Sequence, residues 1–284
     1  MSINKQYKDR LFRLLFGDER YKQNALELYN GINGTDYSNP DELVFDTIDD
    51  VIYMGMKNDV SLIIHDRLAI YEQQSTYNPN MPVRGLMYFG KLYDKFIKMN
   101  DLDVYGKTLL SLPAPQYIVF YNGTEATHQD KDVFELKLSD SFGGKEGCVE
   151  LTAKVYNVNY GHNARLMEAC KALSGYAEFV KTVRDYGSTM DMEDAVERAV
   201  EECISRGILA DILTANRAEV KDMVLTEYNE NRTMSTFFNE GRAEGMDRVS
   251  KLVNYLAKQD KTDEILKVTS DPEYRDQMLN TLNL

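Results

Sequence analysis

The stretch 59–74 begins with hydrophobic residues at every second position, which is the period expected of β-strands. Residues 60–64 form one alternating segment, and residues 68–71 form a second short apolar run. The polar tripeptide between them is typical of a tight turn. The pattern therefore predicts a β-hairpin, and we place its two-residue turn at Asp66-Arg67.

That turn fixes which side chains lie together. It pairs Ser61 with Glu72 and Asp59 with Gln74, so all four side chains share one face of the hairpin. A shift of one residue would move Asp59 to the opposite face from Glu72. Two neighbouring carboxylates repel unless a positive charge lies between them, and Mg²⁺ is bound in proteins through one or two carboxylates. Acids on the open face of a hairpin are also common as solvated surface residues, so the pattern alone leaves both interpretations open.

Periodicity elsewhere predicts a mixture of helices and strands. Helical spacing of apolar residues predicts helices at 7–31 and 81–100 and several more from 164 to 228, with Asp191 as an N-cap and Gly207 as a terminator. Strands are predicted within 43–56 and at 113–123, 133–138 and 148–158. Beyond residue 229 the pattern thins to short amphipathic helices.

The predicted helix at 81–100 has two distinct faces. Its apolar stripe is expected to pack on the sheet and consists of Leu86, Phe89, Tyr93, Phe96 and Ile97. A second face carries Arg84, Tyr88, Lys91 and Lys95, at helical spacing. Such a basic face is usually only solvated, but this helix follows directly after the strand that carries Glu72. We therefore single out Arg84 and Tyr88 as candidates for contacting a phosphate.

Composition and charge narrow the function classes. The 284 residues include 43% hydrophobic residues, which is enough for a sizeable core, and carry a formal net charge of −13. That charge disfavours tight nonspecific DNA binding, which depends on Lys and Arg contacts with phosphates. The three cysteines and three histidines lack zinc-ligand spacing, and no stretch is long and apolar enough for a membrane helix. We expect a cytoplasmic protein without a membrane partner.

Several segments together resemble a known family. Asp59 matches a motif aspartate, Glu72-Gln73-Gln74 matches a (D/E)-x-K element, and the segment 78–84 with Tyr88 matches the helix that follows it. The similarity also includes residues 8–17, 117–123 and 157–163 and extends to about Tyr228. On these residues the chain resembles the PD-(D/E)XK nuclease superfamily, in the branch of the Rpn family of recombination-promoting nucleases and predicted transposases.

The resemblance implies a fold and an activity. It implies an α/β fold with a restriction-endonuclease-like αβββαβ core, in which a mixed sheet is flanked by helices, and we add a C-terminal helical extension. The expected divisions are a nuclease-like domain at 1–160, a helical region at 161–228 and a helical tail at 229–284 that serves for self-association. The implied function is a DNA endonuclease dependent on Mg²⁺ or Mn²⁺ that promotes recombination or transposition.

The resemblance also assigns roles to residues. Asp59 and Glu72 would hold the metal ion, Gln74 would position the attacking water, and Arg84 and Tyr88 would contact the scissile phosphate. Gln74 replaces the motif lysine, and a neutral amide cannot supply the lysine's charge. The alternative is therefore a nuclease fold that has lost catalysis and serves as a binding or assembly module. Asp9 either approaches the metal from the first helix or complements the helix dipole.

Overall fold

The computed structural model describes residues 7–45, 59–124, 130–221, 248–259 and 261–282. The chain divides into two compact units. One comprises residues 4–227, and the other comprises residues 228–284 together with residues 1–3. The predicted second strand within 43–56 lies outside the described residues, as does the chain between 222 and 247. Among the described residues no helix is long and apolar enough to cross a membrane.

The larger unit is built on a mixed six-stranded sheet. Its strands are β1 (Leu43–Phe45), β2 (Val60–Ile64), β3 (Arg67–Gln74), β4 (Ala114–Tyr121), β5 (Val133–Lys137) and β6 (Thr152–Asn157). The order across the sheet is β1-β2-β3-β4-β6-β5. The central strands β3, β4 and β6 run parallel, while β1, β2 and β5 pair in antiparallel fashion at the two sides. The carboxyl ends of the three parallel strands therefore meet along one edge of the sheet.

The β2–β3 hairpin is present, but its predicted register is wrong by two residues. Ile64 pairs with Arg67 and Ser61 pairs with Ile70, so the turn is His65-Asp66 rather than Asp66-Arg67. His65 adopts a left-handed conformation with φ of 51°, which closes the loop one residue earlier than expected. Because the shift is an even number of residues, the side chains keep their predicted faces.

Helices cover both faces of the sheet. They are α1 (Tyr7–Gly17), α2 (Lys22–Asn33), α3 (Met81–Met99), α4 (Ala164–Ala169), α5 (Lys171–Gly187), α6 (Met192–Ser205) and α7 (Ala210–Ala215). The prediction of one helix at 7–31 is wrong, because the chain leaves the helix at Gly17. A Cβ at Gly17 would lie 3.1 Å from Val60 Cγ2, so the helix end packs closely on β2. Asp18 then accepts a hydrogen bond from the Arg20 amide and starts a new turn.

The two faces of the sheet bury separate apolar clusters. One face contributes Ala69, Tyr71 and Phe120 to a cluster with α1, α2 and the helices after residue 164. The other face contributes Leu68, Ile70 and Val119 to a smaller cluster with α3. The buried stripe of α3 consists of Met81, Pro82, Gly85, Tyr88, Phe89 and Leu92. The predicted stripe is confirmed in part, because Phe89 is buried and Tyr93 packs against this cluster, whereas its first member, Leu86, is 43% exposed.

Two predicted helix boundaries in the C-terminal half of this unit are confirmed. The Asp191 carboxylate accepts hydrogen bonds from the amides of Glu193 and Asp194 and so caps α6. Gly207, with φ of 75°, follows the end of α6.

The smaller unit has its own apolar cluster, formed by Leu252, Leu256, Val268 and Leu279. Its helices are a segment at 248–257, α8 (Thr262–Ser270) and α9 (Pro272–Thr281).

Candidate active site

Asp59 lies at the carboxyl edge of the parallel strands, one residue before β2. The hairpin register, carried one residue beyond the Val60–Tyr71 pair, sets Asp59 opposite Glu72. Its Oδ2 accepts a hydrogen bond of 2.6 Å from the backbone amide of Gln73. Burial raises the pKa of Asp59 to about 6, although this hydrogen bond and the cations Arg13 and Arg84 act in the opposite direction. The structure therefore holds Asp59 beside the strand that carries the second acid.

Glu72 is a buried carboxylate near the end of β3, on the same face as Ile70 and therefore facing α3. The residue is 1% exposed. Its Oε2 accepts a hydrogen bond of 2.9 Å from Arg84, but its Oε1 is buried without a hydrogen-bond partner in the described part of the chain. Burial, together with the neighbouring Asp59, raises the pKa of Glu72 well above its ordinary value, and Arg84 limits that rise. Glu72 and Asp59 are thus coupled electrostatically.

Arg84 and Tyr88 lie one helical turn apart on α3 and act as one group. Arg84 donates from Nη2 to the Tyr88 hydroxyl at 2.9 Å and from Nε to the same oxygen at 3.3 Å. Tyr88 is 1% exposed, whereas the Arg84 side chain is 28% exposed. Burial raises the pKa of Tyr88 to about 12, with Glu72 adding to the rise. Tyr88 therefore lies beneath Arg84 and holds it, rather than lining the surface beside it.

Gln74 ends β3 two residues after Glu72 and so lies on the same face. Gln74 helps to line a small pocket with Tyr77, Met81 and Tyr121. Its backbone carbonyl accepts a hydrogen bond of 3.0 Å from the Asn122 amide, which joins the ends of β3 and β4. Asp59, Glu72, Gln74 and Arg84 thus occur at one edge of the sheet.

Tyr117 was not identified from the sequence, yet it belongs to this face. It is buried, its hydroxyl has no hydrogen-bond partner among the described residues, and burial together with Glu72 raises its pKa well above its ordinary value. A Cβ at Gly85 would lie 2.5 Å from the Tyr117 ring, so glycine lets α3 approach β4 closely. Alternation along β4 from Val119 indicates the orientation of Tyr117, but the sequence gives no indication of the Gly85 contact.

A polar network surrounds the ends of β4 and β6. Arg184 on α5 donates to the Asn122 carbonyl oxygen and, at 2.9 Å, to Asn159 Oδ1. The Asn122 side-chain amide donates to the Tyr176 hydroxyl at 2.9 Å. Asn159 in turn donates to the Gly123 carbonyl oxygen at 2.9 Å. Because Asn122 also binds the end of β3, this network fixes the backbone position of Gln74.

The donor set partly fits a divalent cation. Two carboxylates are enough protein ligands for Mg²⁺, because its remaining ligands are usually waters and substrate phosphates. The unpartnered Glu72 Oε1 is an oxygen that a cation would satisfy. No group of three or more His, Cys, Asp and Glu residues suited to a metal occurs in the described ranges. Any cation here would rest on Asp59 and Glu72, and the Asp9 side chain lies outside the described residues.

The chain matches no family model, no curated protein and no solved structure.

Proposed function

We propose that the protein is a divalent-metal-dependent endonuclease with a PD-(D/E)XK-like core, which hydrolyses phosphodiester bonds of DNA. The observation that carries the proposal is the pair of coupled carboxylates, Asp59 and Glu72, at the carboxyl edge of the parallel strands. A buried and a half-buried acid side by side, both with raised pKa values, are typical of a functional site. The element order from α1 to β4 is compatible with the αβββαβ arrangement that the sequence resemblance implies.

Each residue of the site has a role in this proposal. Asp59 and Glu72 hold Mg²⁺ or Mn²⁺, which when bound polarises a phosphodiester and lowers the pKa of a water. The Gln74 amide orients the attacking water by hydrogen bonding. Arg84 binds the scissile phosphate and contributes the positive charge that Gln74 lacks, while the buried Tyr88 holds the guanidinium in place.

The test is nicking of supercoiled plasmid DNA by the purified protein with Mg²⁺ or Mn²⁺. We expect Asp59→Asn and Glu72→Gln each to lower the rate at least about a hundredfold, because each removes a charge that the cation requires. Lys91→Gln on α3 is the matched control and should cleave at the wild-type rate. Chelation by EDTA should stop cleavage. Nicking that persists in both site variants would reject the assignment.

One observation favours the second candidate, a catalytically inactive nuclease-like fold that serves as a binding or assembly module. Arg84 already neutralises Glu72 through an ion pair of 2.9 Å, so the acid has a protein partner. Calorimetric titration with Mg²⁺ and Mn²⁺ separates the two candidates. An inactive module is expected to give no binding heat and no change in melting temperature, with or without DNA. The endonuclease is expected to bind the cation through Asp59 and to lose that binding in Asp59→Asn.

A further inference from the structure

Arg84 contacts two groups: the carboxylate of Glu72, which would hold a cation, and the hydroxyl of Tyr88, one helical turn further along α3. Its Nη2 lies 2.9 Å from Glu72 Oε2 and 2.9 Å from the Tyr88 hydroxyl, and its Nε makes a second bond to Tyr88. The Arg84 side chain is 28% exposed and that of Glu72 is 2% exposed. The guanidinium is therefore the solvent-accessible member of the ion pair, and its hydrogen bonds to Tyr88 do not depend on Glu72.

We propose that Arg84 is an exchangeable counter-ion: it releases Glu72 when Asp59 and Glu72 bind a divalent cation, and its guanidinium, still held by Tyr88, then binds a phosphate. The proposal deepens the proposed function, because it concerns the same site and the order in which cation and substrate bind. It assigns Tyr88 the role of a positioning residue that keeps the released guanidinium at the edge of the sheet.

Charge balance supports the exchange. Arg84 from α3 opposes the charge of both Asp59 and Glu72, and Arg13 from α1 opposes that of Asp59. The site is therefore close to neutral without a metal ion and offers little attraction to an anionic phosphate. A divalent cation adds two positive charges, which repel the nearby guanidinium. The phosphate then supplies the negative charge that the loaded site lacks.

A second arrangement at Glu72 competes with the exchange. Its Oε1 has no hydrogen-bond partner among the described residues, so a cation could bind this oxygen while Arg84 stays on Oε2. In that arrangement Arg84 supports the carboxylate, and its removal weakens cation binding. In the exchange, Arg84 competes with the cation, and its removal strengthens cation binding. The two arrangements therefore differ in the sign of a measurable change.

The experiment measures Mn²⁺ affinity by calorimetry for the wild type, Arg84→Gln and Lys91→Gln near pH 8.5, where protons compete least for the carboxyl groups. We expect Arg84→Gln to bind Mn²⁺ at least about fivefold more tightly than the wild type. Lys91 lies about 10 Å further along the helix, so Lys91→Gln should stay within about twofold of the wild type. Weaker or unchanged Mn²⁺ binding by Arg84→Gln would overturn the exchange.

Two further measurements follow the guanidinium and the phosphate. The Nε–Hε signal of Arg84, assigned by its loss in Arg84→Lys, should shift in NMR spectra of the wild type as Mg²⁺ is added, and an unmoved signal would contradict the release of Glu72. A labelled phosphorothioate oligonucleotide serves as the phosphate probe. Mn²⁺ should tighten its binding to the wild type about tenfold or more, and Arg84→Gln should lose most of that gain.

The outcomes separate this inference from the proposed function. Mn²⁺ binding with the expected response to Arg84→Gln but without plasmid nicking would reject the endonuclease and leave the exchange standing. Nicking that requires Asp59, combined with weaker Mn²⁺ binding by Arg84→Gln, would reject the exchange and leave the endonuclease standing. An absence of Mn²⁺ binding in the wild type would reject both.

Discussion

At the scale of single residues, the site places ionisable groups where burial opposes their charge. The free energy of holding Asp59 and Glu72 in this position has to come from contacts elsewhere in the fold, such as the apolar clusters on the two faces of the sheet. Replacing a buried acid by its amide keeps the shape, removes the charge and exchanges one of the two acceptor oxygens for an NH2 donor. Such isosteric variants therefore measure how much the charge lowers the free energy of unfolding.

Asp59→Asn should stabilise the protein, and the gain should grow with pH. The pKa of Asp59 rises from 3.8 to about 6 in the folded state, so between these values the folded protein keeps a proton that the unfolded chain has released. The free energy of unfolding of the wild type therefore falls as the pH rises through this window, whereas the substituted amide does not titrate. We expect an advantage of up to about 3 kcal/mol near pH 8 that shrinks below about pH 6. Urea unfolding in EDTA measures it, and a gain independent of pH would contradict the assignment.

Arg84→Gln should destabilise the metal-free protein, because it leaves the Glu72 charge buried without a cation. We expect a loss of about 3 kcal/mol in the free energy of unfolding near pH 8. Adding Glu72→Gln to this variant should restore most of the loss, since neither partner is then charged. Thermal or urea unfolding of the two single variants and the double variant gives the coupling between the residues. Additive effects would show that the ion pair does not hold Arg84 and Glu72 together.

At the scale of elements, the position of α3 depends on a glycine that packs against an aromatic ring. Gly85 lies where a Cβ would come within 2.5 Å of the Tyr117 ring, and the same turn of α3 carries Arg84. Moving α3 away from β4 would therefore also move Arg84 away from Glu72. The sheet face, the glycine and the ion pair form one packing unit.

Gly85→Ala should destabilise the protein by about 1–3 kcal/mol, because the added methyl group displaces either α3 or the Tyr117 ring. Gly90→Ala is the matched control on the same helix, since a Cβ there meets no atom within 4 Å. The control should be neutral or up to about 1 kcal/mol more stable, as alanine favours the helix over glycine. Urea unfolding of both variants provides the comparison. Equal effects of the two substitutions would show that the close approach of α3 is not required.

The elements also show what the sequence could and could not predict. Alternation predicted the β2–β3 hairpin and the common face of its acids, because strand periodicity depends only on local sequence. It could not fix the register, since that depended on the left-handed conformation of His65. Similarly, helical spacing predicted α3, but the face that it buries depends on the Gly85–Tyr117 contact. The Gln73 amide that binds Asp59 belongs to the backbone, which residue identities do not reveal.

At the scale of the whole molecule, the candidate site lies at one edge of the sheet, and the net negative charge of the chain repels the proposed substrate, DNA. The chain carries 33 basic and 46 acidic residues, and the larger unit alone contains the sheet and the candidate site. Because the net charge does not favour DNA, the proposed endonuclease would depend on local attraction at the cation site.

DNA binding should accordingly be weak without a divalent cation and respond little to monovalent salt. Each phosphate neutralised by Lys or Arg adds about −0.9 to the slope of log affinity against log salt for duplex DNA. If Arg84 and one or two further cations make the phosphate contacts, the slope should be about −2 to −3. Fluorescence anisotropy with a labelled duplex over a range of potassium chloride at fixed Ca²⁺ or Mn²⁺ measures it. A slope near −6 or steeper would reveal an extended basic surface, and Arg84→Gln should make the slope shallower by about one unit.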